Sequence, residues 1–296
     1  MRFIQSIRFQ PMHHHKITLT ACLLFLPVLF GCGKGEGPAA SPAIICGTSL
    51  IADMVRDLSS LEADTYTLLP STSCPSQFDM KAGDIAALEQ AKCLLLHPWQ
   101  PRLANIGRVL DAARLPAHKK RVIEVEGNWM VPEVQRTAVT AVLKVLLDID
   151  PADATAMREK AAARLARIDA VTAAARERLP LEKTKGRSVL CHEMQAPFLK
   201  WAGFTVVDTF NRPEDYSVTD METLIRAGKA SGTALVADNL QSGGLSAGEL
   251  LARDIGTAYL VLSNFPGGFP DTPTWQAAFE ENIRRLAASL EGPPAS

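Results

Sequence analysis

From residue 44 onward, short apolar runs alternate with longer stretches in which apolar positions recur every three or four residues. The runs at 44–46, 66–69, 93–96 and 122–125 are too short for helices and read as strands, and 50–58, 84–90, 103–113 and 133–147 between them carry helical periodicity. A second series repeats the plan, with strands at 188–191, 206–209, 235–237 and 259–262 and helices at 196–202, 219–230, 247–255 and 275–290. Between the two series, 151–179 holds no Gly and no Pro beyond Pro151, is rich in Ala, Arg, Glu and Leu, and stops at Pro180. Met157, Ala161, Leu165, Ile168, Thr172, Ala175 and Leu179 form its apolar stripe. At 1.5 Å per residue such a helix is about 40 Å long, enough to span more than one packed unit. Strands alternating with helices predict an α/β fold of two lobes, each a four-stranded, mostly parallel sheet flanked by helices, joined by one long rigid backbone helix. The expected boundaries are 43–150 for the first lobe, 151–180 for the linking helix and 181–296 for the second lobe.

The residues before 43 follow a different pattern. Arg2, Arg8 and Lys16 precede an apolar run at 17–30 that ends in Leu29-Phe30-Gly31-Cys32. This reads as a cleaved signal segment, 1–31, rather than a spanning helix, and the tripeptide before Cys32 is similar to the lipobox of bacterial lipoproteins, in which that cysteine is lipidated. Residues 32–42, rich in Gly, Pro, Ala and Ser, read as a flexible tether. The expected location is the cell envelope or periplasm, anchored by lipid to a membrane and facing away from the cytoplasm. His13, His14 and His15 fall in the removed segment and do not count as a metal tract.

Of 296 residues, 31 are Lys or Arg and 32 are Asp or Glu, so nothing favours nucleic acid as a partner. Cys46, Cys74, Cys93 and Cys191 remain in the mature chain, where disulfides are allowed but their pairing is left open. No Gly-x-Ser-x-Gly, His-Glu-x-x-His or Cys-x-x-Cys motif is present. In open parallel sheets ligands bind beyond the carboxyl ends of the strands, which places His97, Cys191, His192 and Asp238 on the loops where chemistry is expected.

From about residue 44 to 290 the chain resembles the zinc- and manganese-binding solute receptors of bacterial ABC importers. The resemblance is carried by Thr48-Ser49-Leu50-Ile51-Ala52-Asp53, by Leu68-Leu69-Pro70 followed by Cys74-Pro75-Ser76, by Gly127-Asn128-Trp129-Met130-Val131-Pro132 and by Cys191-His192-Glu193-Met194. It implies a monomeric receptor, not an enzyme, that captures a transition metal ion between two lobes and hands it to permease subunits. Of the family's four ligand positions, three fall on Ser76, Gly127 and Ser263, and His192 alone keeps a donor. One imidazole does not make a zinc site, which needs about four N, S or O donors. Cys74, Cys191, His97 and Asp238 are the candidates to complete a set, and thiolates among them would favour zinc or a softer ion over manganese. Two alternatives remain: a small organic molecule or metal chelate held in the same cleft, and a thiol-dependent enzyme using Cys191 with His192.

Overall fold

The computed structural model describes residues 44–59, 65–212, 215–243 and 247–291. The signal segment, Cys32 and the tether lie outside the described residues. The first sheet contains β1 (Ile44–Cys46), β2 (Thr65–Thr67), β3 (Cys93–Leu96) and β4 (Lys120–Val122) in the order β2-β1-β3-β4, all parallel. Its helices are α1 (Ser49–Leu58), α2 (Ala82–Gln90), α3 (Ala104–Ala112) and α4 (Pro132–Ile149). A turn of 3-10 helix at Pro151–Asp153 leads into α5 (Ala154–Arg178), and α6 (Leu181–Thr184) follows. The second sheet repeats the first: β5 (Ser188–His192), β6 (Thr205–Phe210), β7 (Leu235–Asn239) and β8 (Ala258–Leu262) lie parallel in the order β6-β5-β7-β8. Around it are α7 (Ala196–Trp201), α8 (Val218–Ala230), α9 (Ala247–Ile255) and α10 (Trp275–Leu290).

The sheets are wholly parallel because each strand returns through a helix. The central strands β1 and β3 are buried along their whole length, which explains their continuous apolar runs. The edge strands β2 and β4 differ from the sequence reading. They end at Thr67 and Val122, after which Leu68 and Ile123 each donate one more backbone bond, to Cys46 O and Leu96 O, as the chain leaves the sheet.

Alternation along the strands sorts the core into three. Ile44, Cys46, Cys93, Leu95, Val189, Cys191, Leu235 and Ala237 join one continuous cluster with α1, α4, α5 and α10 that runs through both lobes. Ile45, Leu94 and Leu96 face outward into a cluster on the first lobe, and Leu190, Val236 and Phe210 into another on the second. The described residues accordingly belong to one compact unit.

Helix α5 links the lobes by packing on α1, α4 and α10. Its buried stripe is Met157, Ala161, Arg164, Ile168, Val171 and Ala175, continued by Leu179. Leu165 and Thr172, expected in that stripe, are only half-buried flanks. Arg164 takes a core position because two carboxylates of α1 meet it there. Its Nη2 donates to Asp53 at 2.6 Å and its Nη1 to Asp57 at 3.0 Å. The same Asp53 Oδ2 accepts the backbone N–H of Trp275 at 3.1 Å, so one carboxylate satisfies the start of α10 as well as the guanidinium. Gln135 completes the junction: with its amide oxygen toward the guanidinium it accepts from Arg164 at 3.1 Å and donates to Trp129 O at 3.1 Å. Four helices, α1, α4, α5 and α10, thus converge on one ion-pair cluster.

Candidate functional site

The strand order in each sheet puts a switch point between its two central strands, β1 and β3 in the first lobe and β5 and β7 in the second. His97 ends β3 at the first of these. It is 2 % exposed, its Nε2 lies 2.8 Å from Thr48 Oγ1, and its ring packs against Trp99 and Trp129 at centroid distances of 5.3 and 4.0 Å. Burial pushes its pKa down to about 3, so the ring is neutral. Gln100 braces the same spot, accepting from His97 N at 2.9 Å and donating to Gly47 O at 3.1 Å. Gly47 is required there, because a Cβ would stand 2.1 Å from the Gln100 amide oxygen.

At the second switch point His192 ends β5 and is also buried. Its Nδ1 accepts the Met194 N–H at 3.2 Å, closing the turn after the strand, and its ring meets Phe210 edge-on at 5.9 Å. Burial lowers its pKa, opposed by the negative charge of Asp238 and then of Glu193. Asp238 is occupied locally: its Oδ1 accepts from Asn239 N at 2.7 Å and its Oδ2 from Tyr259 Oη at 3.3 Å. That Oδ2 also sits so close to α9 that a Cβ on Gly248 would come within 2.6 Å of it.

The four cysteines among the described residues, Cys46, Cys74, Cys93 and Cys191, are free thiols. Cys191 and His192 are neighbours on a strand and belong to opposite faces. The thiol lies in the shared core, where burial raises its pKa to about 12, and the imidazole lies against Phe210. A thiol held protonated and turned away from the ring is not an activated nucleophile. Cys74 lies at the junction of the lobes, its Sγ 3.3 Å from Ser76 Oγ and its Cβ facing the Gly243 backbone.

The seam between the strand tips is filled by amides and hydroxyls. Asn128 Nδ2 donates to Met194 O at 2.8 Å and to Asn264 Oδ1 at 2.9 Å, crossing from the first lobe to the second. Asn239 Oδ1 accepts from Gln195 at 3.0 Å and from Asn264 at 3.1 Å. Gln241 Nε2 donates to Ser71 O at 2.7 Å, across the seam, and to Ser263 Oγ at 2.9 Å, while its oxygen accepts from Asn264 N at 3.0 Å. Ser263 Oγ in turn donates to Phe265 O at 2.9 Å. Ser49 and Ser71 donate to Pro266 O and Gly267 O at 2.7 and 2.8 Å. This network escaped the sequence reading because Asn and Gln carry no periodic or spacing signal. Replacing Gln241 with Leu removes three hydrogen bonds, one of them between lobes, and should lower stability by about 2–3 kcal/mol. Denaturant unfolding measures the loss, and hydrogen exchange should rise selectively at the Asn264 N–H, which donates to Gln241. Unchanged protection of that N–H would show that the seam does not depend on Gln241.

Of the positions where the resemblance implies ligands, Ser76 is exposed, Gly127 has φ +98°, and Ser263 is buried with its hydroxyl committed to Gln241 and Phe265. Among the described residues no three His, Cys, Asp or Glu side chains come together as a group able to hold a metal ion. The donors present therefore do not fit a bare-ion shell of the zinc kind. No described helix is long and apolar enough to cross a membrane.

Two parallel sheets of identical strand order, a linking helix and strand tips meeting at a seam define the fold of the metal-binding, periplasmic solute-binding proteins of ABC importers. Residues 44–289 match the family model described as ZnuA, zinc-uptake complex component A, periplasmic, and the chain belongs to that family. Among solved structures it is similar to a zinc-bound ZnuA deletion mutant, with 17 % identity, a TM-score of 0.68 and coverage of 86 % of this chain and 100 % of the other. It is similar to the solute-binding protein FpvC of P. aeruginosa in complex with Ni2+, with 18 % identity, a TM-score of 0.69 and coverage of 86 % and 98 %. A Cd-bound periplasmic metal binding protein from Candidatus Liberibacter asiaticus gives 14 % identity, a TM-score of 0.69 and coverage of 84 % and 99 %. At these identities the likeness to each structure is one of fold. No curated protein sequence matches the chain significantly.

Proposed function

We propose that this chain is a lipid-anchored receptor, tethered through Cys32, that delivers to an ABC permease a metal complex or small organic solute rather than a bare metal ion. The observation that carries this reading is that no three His, Cys, Asp or Glu side chains group among the described residues, while the amides and hydroxyls at the strand tips are bonded to one another. Ser76 and Gly127 offer no strong donor, and Ser263 spends its hydroxyl inside the Asn128–Asn264–Gln241 seam. A cargo that brings its own metal ligands, or contains no metal, does not need the missing ones. The stiffness of the shared core fits a receptor that responds by small tilts and loop rearrangements.

Metal titration tests the proposal. A ligand present at about a hundred times its Kd stabilises a protein by about 2.7 kcal/mol, a rise in Tm of roughly 5–10 °C at this size. Zinc, copper(I) and manganese, each added alone, are expected to leave the melting curve in place, and element analysis after dialysis should find no stoichiometric ion. A tightly retained ion that is lost in His192→Ala would overturn the proposal in favour of a bare-ion receptor.

A further inference from the structure

The strand-tip seam is hydrogen-bonded through, but beside it lies an open groove of about 390 Å³, within the size range of small-molecule sites. Both lobes build it. The first contributes Arg56, Tyr66, Phe78 and Lys81, and the second contributes the 266–267 turn and Pro273. Its floor is the pair of inter-lobe bonds from Ser49 and Ser71 to the carbonyls of Pro266 and Gly267. The groove's one carboxylate, Asp84, is already engaged, accepting from Tyr66 Oη at 2.6 Å and from Lys81 N at 2.7 Å. Neither Arg56 nor the Lys81 ammonium makes an ion pair among the described residues, and both are exposed. The nearby carboxylates Asp53 and Asp57 belong to Arg164 and Arg167.

Resting on the receptor reading above, we infer that this groove is where cargo is recognised, and that the cargo is a small anion with a flat apolar portion, such as an aromatic carboxylate or an anionic metal chelate. Arg56 and Lys81 supply the charge, Arg56 with a planar fork suited to a carboxylate. The rings of Tyr66 and Phe78 supply apolar surface. Because Pro266, Gly267 and Pro273 form the opposite wall, an occupant touches both lobes and favours the arrangement that holds them together.

The test uses the purified protein with phthalate and salicylate, each alone and in excess over iron(III), followed by calorimetry and thermal shift at low and high salt. Binding is expected for at least one probe. It should weaken with salt and fall at least about tenfold in Arg56→Ala and again in Lys81→Ala, and survive in Lys229→Ala, a surface control on α8. Absence of binding by every probe, or binding that persists undiminished in the Arg56→Ala/Lys81→Ala double variant, overturns the groove assignment. Neither result touches the receptor reading, which falls only if a bare ion is captured through His192. The two failures are therefore separable.

Discussion

Arg164→Met is expected to cost the folded chain about 3–5 kcal/mol, because it leaves the Asp53 carboxylate charged and buried with no cation beside it. The corresponding fall in Tm is roughly 6–20 °C at this chain length. The loss should extend beyond α5. Asp53 also accepts the first N–H of α10, and Arg164 reaches Asp57, so removing the guanidinium loosens the only described ion-pair cluster that touches both lobes. Adding Asp53→Asn to Arg164→Met removes the stranded charge and keeps an acceptor for Trp275, and should recover a large part of the loss. A double-mutant cycle between these positions measures the coupling, expected above about 1 kcal/mol for groups in direct contact. Coupling near zero would mean that the cluster is a bystander and that the apolar faces of α1, α4 and α10 alone hold the rod in place.

The second large effect is a pH dependence centred on His97. Its pKa falls from 6.5 to about 3 on folding through burial, so below 6.5 the unfolded chain binds a proton that the folded chain refuses. Stability is therefore full above pH 6.5 and is lost as the pH drops toward 3, by on the order of 3–5 kcal/mol from this residue. His192, whose pKa is also lowered by burial, acts in the same direction. Urea unfolding at intervals between pH 7.5 and 4 should show the decline. His97→Gln, which can still meet Thr48, should flatten it, at the cost of ring packing against Trp129. A wild-type curve that is level across this interval would contradict a neutral, water-excluded imidazole at the end of β3.

Both predictions turn on residues whose roles the chain pattern hides. Arg164 occupies a position in the apolar stripe of α5, and a reading by polarity passes over it in favour of Leu165. Its partners in α1 are more than a hundred residues away in sequence. His97 before Pro98 reads equally well as a ligand or as a strand-ending side chain until Thr48, Trp99 and Trp129 are seen around it. The edge strands were misplaced by two or three residues for a related reason. Leu68, Leu69, Ile123 and Val125 are buried and look like strand, but the ladder has ended and the chain has turned over the sheet.

By itself the sequence determined the alternation of strand and helix, the two parallel sheets and the linking helix, because burial on both faces of a parallel strand and on one face of a helix leaves a periodic record in adjacent residues; the family was legible in the resemblance of its motifs. It also placed Ser76, Gly127 and Ser263 at the positions where the resemblance implies metal donors, since that is a matter of identity at a position. Only the tertiary structure decided what stands in their place. An amide such as Gln241 or Asn264 has no preferred face or spacing, and its meaning comes entirely from which distant donor and acceptor the fold brings within about 3 Å of it.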